Sequence, residues 1–167
     1  MARGRTGRVA SRLQHVYELV ASAGCVTTAS VEDALGLRHS EAFYALALLK
    51  SSGKVVETLI GKYALWCRDE ETAKRIIEEL KSETRRLLCN NGKRYATPSR
   101  VLELAESDEQ AREVFSRYIP LDKTKQLAYK PQALAFADAV LRELFGESQF
   151  KRYRDRPIYL VTCQPEE

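Results

Sequence analysis

TASVEDALGLRHSEAFYALALLKSSGKVVETLIGKYALWC, residues 28–67, changes its hydrophobic period twice within one short stretch. Two apolar-periodic segments, Val31 to Leu35 and Ala42 to Leu49, flank Gly36-Leu37-Arg38-His39-Ser40, a glycine turn followed by a polar cap. Leu35 and Leu37 bracket the turn, and Ala42, Ala45 or Leu46, and Leu49 recur three or four apart, so one stripe of the second helix can pack on the first. Arg38, His39, Glu41, Tyr44, Ala47 and Lys50 are left on the other face. Ser52-Gly53-Lys54 then breaks the helix. Two β-rich runs follow, Val55 to Ile60 and Tyr63 to Cys67, joined by Gly61-Lys62 as a hairpin.

The order helix, glycine turn, helix, Ser-Gly-Lys, hairpin resembles the winged helix-turn-helix domains of microbial transcription regulators, over residues 8–68 or so. The resemblance implies that the Arg38 to Lys50 helix enters a major groove and that Lys54 and Lys62 on the wing reach backbone. It implies contacts to DNA from Arg38, His39, Ser40, Tyr44 and Lys50. It also implies that the short strand after the first helix pairs with the last wing strand, which would bring Cys25 near Cys67. A disulfide there suits a hyperthermophilic source. High charge with one Met and few Asn hints at such a thermophilic, archaeal-like origin.

Working outward, residues 1–8 are basic, glycine-containing and without apolar periodicity, which predicts a disordered arm. Arg3-Gly4-Arg5 resembles the heart of an AT-hook, with Thr6 where a proline normally follows. With Arg8 and Arg12, these arginines would add minor-groove and phosphate contacts. From Val9 to Ala23 the positions Val9, Leu13, Val16, Tyr17 and Val20 form one helical stripe ending at Gly24. Residues 1–68 hold nine Lys and Arg against five Asp and Glu, whereas the rest of the chain is balanced. The excess suits a phosphate-bearing partner.

Beyond the wing, residues 69–92 predict a long helix from Asp69 to Cys89 with acidic residues in its first turn and a stop at Asn90-Asn91-Gly92. Ala73, Ile77, Leu80, Thr84 and Leu87 alternate steps of four and three. That spacing serves a dimerisation seam or packing against the chain's own C-terminal half. In residues 93–167, which resemble no family, Thr97-Pro98 opens a short helix through Ala105, and Ser107-Asp108-Glu109-Gln110 reads as a capping box for a helix to Tyr118. A lysine-bearing connection from Leu121 to Lys130 leads to a helix from Pro131 to Gly146. Lys151, Arg152, Arg154 and Arg156, beside Phe150 and Tyr153, form a second basic patch. A last strand, Ile158 to Cys163, lacks a partner unless it pairs with the wing or with another protomer.

The expectation is therefore a mainly α protein with a small β-wing: basic arm (1–8), winged helix-turn-helix (9–68), linking helix (69–92) and a helical C-terminal domain (93–167) ending in a short strand. The chain of 167 residues carries a net charge of +4 and can bury a real core. Four cysteines without CxxC pairing, and only two histidines, oppose a zinc site and favour buried free thiols. No apolar run reaches membrane-spanning length and no secretory h-region is present, so a cytoplasmic location is expected. Glycine-rich phosphate loops, metal-spaced clusters and GxSxG motifs are absent, which opposes an enzyme and leaves no cofactor expected.

Those readings converge on a homodimeric protein that binds double-stranded DNA, as a transcription regulator or a plasmid- or chromosome-maintenance factor, with a protein partner or ligand met through the C-terminal domain. The alternative is a winged helix used as a protein-interaction module within a larger assembly. Glu41, Phe43, Tyr44 and Ala47 favour it, because an aromatic-apolar helix face suits a protein groove.

Overall fold

A computed structural model describes residues 2–119, 131–146 and 157–163, with side chains from residue 10 onward. Among these residues the chain is mainly helical, with seven helices and two small antiparallel sheets. It divides into two compact units, residues 1–59 with 64–76, and residues 60–63 with 77–167. No described helix is long and apolar enough to cross a membrane.

The first unit opens with α1 (Ala2–Ala23), which takes in the segment expected to be a disordered arm. Once a helix is nucleated each further residue adds a hydrogen bond, and Ala2 and the three arginines favour the extension while Gly4 and Gly7 oppose it. The backbone then turns at Gly24 (φ 89°), where a Cβ would meet Thr72 Cγ2 at 2.9 Å. Strand β1 (Cys25–Val26) leads to α2 (Thr28–Leu35), whose start is closed reciprocally: Ser30 N donates to Thr27 Oγ1 and Thr27 N to Ser30 Oγ, both at 3.0 Å. Gly36 ends α2 in the left-handed conformation (φ 63°), and α3 runs from His39 to Ser51. Val16 and Val20 of α1, Val31 of α2, and Ala42, Ala45, Leu46 and Leu49 of α3 share one buried core with Trp66. The stripe read from the sequence is the stripe that is buried.

Strands β2 (Val56–Ile60) and β3 (Tyr63–Cys67) form the hairpin, and β1 adds to β3 in the sheet order β1-β3-β2. Cys25 stands opposite Cys67 in that register and the two are joined by a disulfide with Cα atoms 4.0 Å apart. A second disulfide joins Cys89 to Cys163, so no described cysteine is free and the expectation of buried thiols is corrected. Sequence spacing holds no trace of a bridge closed by tertiary contact across 74 residues.

Helix α4 (Glu70–Asn90) begins in the first unit and continues into the second. Of its expected dimer seam, Ala73, Leu80, Thr84 and Leu87 are buried and Ile77 is half-buried within the single chain. That seam is corrected to an internal packing face, because the chain's own elements already cover it. The second unit continues through β4 (Tyr95–Ala96), α5 (Pro98–Glu106), α6 (Glu109–Ser116), α7 (Pro131–Phe145) and β5 (Tyr159–Leu160). Thr97 caps α5, accepting from Arg100 N at 3.3 Å. The cap of α6 is Asp108 rather than Ser107, and its Oδ1 accepts from Ala111 N at 3.0 Å. A carboxylate suits that helix end and leaves Ser107 to close α5.

Phe136 of α7 centres this unit, with its ring packed near those of Tyr63, Phe115 and Tyr118. The final strand pairs antiparallel with β4, Tyr95 opposite Leu160 and Ala96 opposite Tyr159. Its partner is therefore neither the wing nor another protomer. Two residues of β4 fall below the length at which alternation signals a strand. Residues 121–130, with Lys123, Lys125 and Lys130, lie outside the described residues, as do Phe150, Lys151, Arg152, Tyr153, Arg154 and Arg156.

Candidate nucleic-acid interface

Burying Ala42, Ala45, Leu46 and Leu49 obliges α3 to present its other face outward. There the Arg38 side chain is 89% exposed. His39, Ser40, Tyr44 and Lys50 are exposed as well, and Phe43 is half out of the solvent at 49%. Glu41 interrupts this face but is held in place from two sides. Its Oε1 accepts from Arg38 N at 3.0 Å, closing the helix start, and its Oε2 accepts from Arg12 Nη2 at 2.8 Å. The Arg38 amide first, then the charge of Arg12, hold the Glu41 carboxyl below its ordinary range. Its negative charge is thus matched within the unit.

The remaining basic groups are divided between engaged and outward ones. Lys50 Nζ donates to Glu57 at 2.8 Å, His39 Nδ1 lies 3.3 Å from Glu32, and Lys54 Nζ sits 5.6 Å from the centre of the Tyr17 ring. Such exposed pairs are worth little and can be exchanged for a phosphate at small cost. Arg38, by contrast, meets Glu41 only at 3.9 Å. Aromatic packing stiffens the face. Phe43 lies edge-on to Trp66 at 5.9 Å and stacks on His39 at 6.3 Å, while Trp66 Nε1 donates to Thr28 Oγ1 at 3.2 Å.

Lys62 is exposed, on a turn that belongs to the second unit. Beside it Gly61 N donates to Glu143 Oε2 of α7 at 3.1 Å, so this turn is seated on α7 rather than reaching freely outward. The structure thus gathers Arg12, Arg38, His39, Ser40, Tyr44, Lys50 and Lys54 in the first unit. The side chains of Arg3, Arg5 and Arg8, and the whole patch of Lys151, Arg152, Arg154 and Arg156, lie outside what is described.

The same fold occurs in a viral protein. A crystal structure of hypothetical protein PyrSV_gp04 from Pyrobaculum spherical virus is similar to this chain at a TM-score of 0.78 and 28% identity, covering 95% of this chain and 98% of that one. The likeness thus takes in nearly the whole of both chains. No protein-family model and no curated protein matches the sequence.

One grouping escaped sequence reading altogether. Lys81 and Arg85 stand four apart on α4, which reads as an ordinary solvated helix face, yet the fold lines a cleft with both. No local signal marks them, since the cleft is completed by residues from the far end of the chain.

Proposed function

We propose that this chain binds duplex DNA through the outer face of α3, as a winged helix-turn-helix protein acting in transcription regulation or in plasmid or chromosome maintenance. The observation that carries the reading is the division of α3 itself: an apolar stripe packed on α1 and α2, and Arg38, His39, Ser40 and Tyr44 turned outward. Arg38 and Tyr44 supply base-edge and stacking contacts, while Lys50 and Lys54 exchange their present partners for backbone phosphate and Arg12 stays on Glu41. Neutralisation of Glu41 by Arg12 removes the main repulsion toward a polyanion from this face. A homodimer presenting two such helices needs a surface other than the Ala73 to Leu87 stripe.

A second reading rests on Phe43. Its ring is fixed against Trp66 yet half-exposed beside Tyr44, which is the composition of a protein-binding anchor. Fluorescence anisotropy on specific and random duplexes across a salt series, with mass by light scattering, separates the two. DNA binding predicts a steep fall of affinity with salt, and replacement of Arg38 or Tyr44 by Ala should erode specificity more than Lys62→Ala. Absence of duplex binding at low salt defeats the DNA reading and turns attention to a partner at Phe43. Equal losses from all three variants on both duplexes defeat the assignment of base contacts to α3.

A further inference from the structure

Glu78, Lys81, Ser82, Arg85 and Cys89 follow one face of α4 and, with Arg86, Leu144 and Cys163, line an open cleft of about 640 Å³ in the second unit. That volume is in the range of small-molecule sites, roughly 300–1,000 Å³. The cations in the cleft are not equivalent. Arg86 is fastened to Glu83 and to both oxygens of Asp108. Lys81 meets Glu78 at 3.2 Å, but that carboxylate is 72% exposed and can turn away. Arg85 has no carboxylate partner among the described residues. Its Nε is shut off from solvent without a hydrogen-bond acceptor among those residues, and its guanidinium carbon lies 6.0 Å from the centre of the Phe145 ring.

A guanidinium desolvated on one edge and held over an aromatic ring, with no acid beside it among the described residues, favours an anion as its partner. An anion entering the cleft would pair with it. We propose that this cleft binds a phosphate monoester, with Arg85 as its principal anchor. The planar fork of arginine matches two oxygens of a phosphate, Lys81 adds a second cation, and the Ser82 hydroxyl donates to a third oxygen. A monoester carries nearly two negative charges at neutral pH, which Lys81 and Arg85 match once the Glu78 carboxylate has turned away. Leu144 in the lining and Phe145 beneath the guanidinium offer apolar surface to the organic part of the ligand. The inference draws on the second unit alone and is independent of the DNA reading.

Inorganic phosphate and adenosine monophosphate, each titrated into the full oxidised chain and followed by amide NMR against chloride of matched ionic strength, provide the test. Saturable shifts at Ser82, Arg85 and Cys89 are expected, with the monophosphate binding tighter than phosphate. Arg85→Gln should weaken binding by about tenfold, the loss of one charge-assisted hydrogen bond. Lys81→Gln should weaken it less, and Arg100→Gln, which removes an exposed cation of α5, should leave it unchanged. Lys81→Gln keeps the test open where Arg85→Gln disturbs folding. The proposal is overturned by the absence of saturable shifts, by wild-type affinity in both cleft variants, by equal weakening in Arg100→Gln, or by a monophosphate that binds more weakly than phosphate.

Discussion

Arg86 shows how a single side chain ties helices together. Its guanidinium donates to Glu83 one turn earlier on α4 and to Asp108 at the start of α6, and Gln110 Nε2 donates to the other Glu83 oxygen at 2.9 Å. Asp108 meanwhile caps α6. The Arg86 hydrogen bonds first, and the Ala111 amide next, hold the Asp108 carboxyl below its ordinary value of 3.8. A depressed carboxylate contributes stability above its unfolded pKa and loses it as pH falls through the folded one. Asn caps a helix as well as Asp, so Asp108→Asn removes the charge and keeps the cap. The wild type should be the more stable at pH 6, and the gap should close as pH drops below 3.8. Thermal midpoints from pH 2 to 7 check this, and a gap independent of pH would assign the effect to packing instead.

At the scale of elements, the hairpin turn is the decisive junction of the second unit. Gly61 adopts φ 57° and an added Cβ would stand 2.9 Å from the backbone oxygen of Ala139 on α7. Both strain and close approach therefore require glycine. Gly61→Ala should cost about 1–3 kcal/mol, while Lys62→Ala on the same turn should change stability by less than about 0.5 kcal/mol. Urea unfolding measures both, and equal midpoints for Gly61→Ala and wild type would show that the turn can lift off α7. This contact was beyond sequence reading. Gly61-Lys62 announces a turn, but a helix 78 residues later decides what the turn lies against.

For the whole molecule, the two disulfides bound the unfolded ensemble. They close separations of 42 and 74 residues. On a chain-entropy basis each is worth about 4 kcal/mol. Cys25 and Cys67 are buried, whereas Cys163 is exposed and Cys89 only half-buried. Under mild reductant Cys89–Cys163 should open first, with Cys25–Cys67 following only on unfolding. Alkylation and mass mapping over time give the order, and the reduced protein should melt well below the oxidised one. Simultaneous opening would mean that β1 and β3 separate without unfolding.

The local rules of the chain alone determined the succession of α2, glycine turn and α3, the buried stripe of α3, the hairpin and the Thr97-Pro98 and Pro131 helix starts. Those signals are carried within one or two turns by period, caps and glycines, so neighbours in sequence suffice to read them. Tertiary structure alone decided that the Ala73 to Leu87 stripe packs internally, that Tyr95–Ala96 is the partner of the last strand, that Cys89 meets Cys163, and that Arg85 lines a cleft. Each is a meeting of distant segments. An apolar stripe is the same whether its cover comes from the same chain or a second copy, and a cation on a helix face carries no mark of what will later surround it.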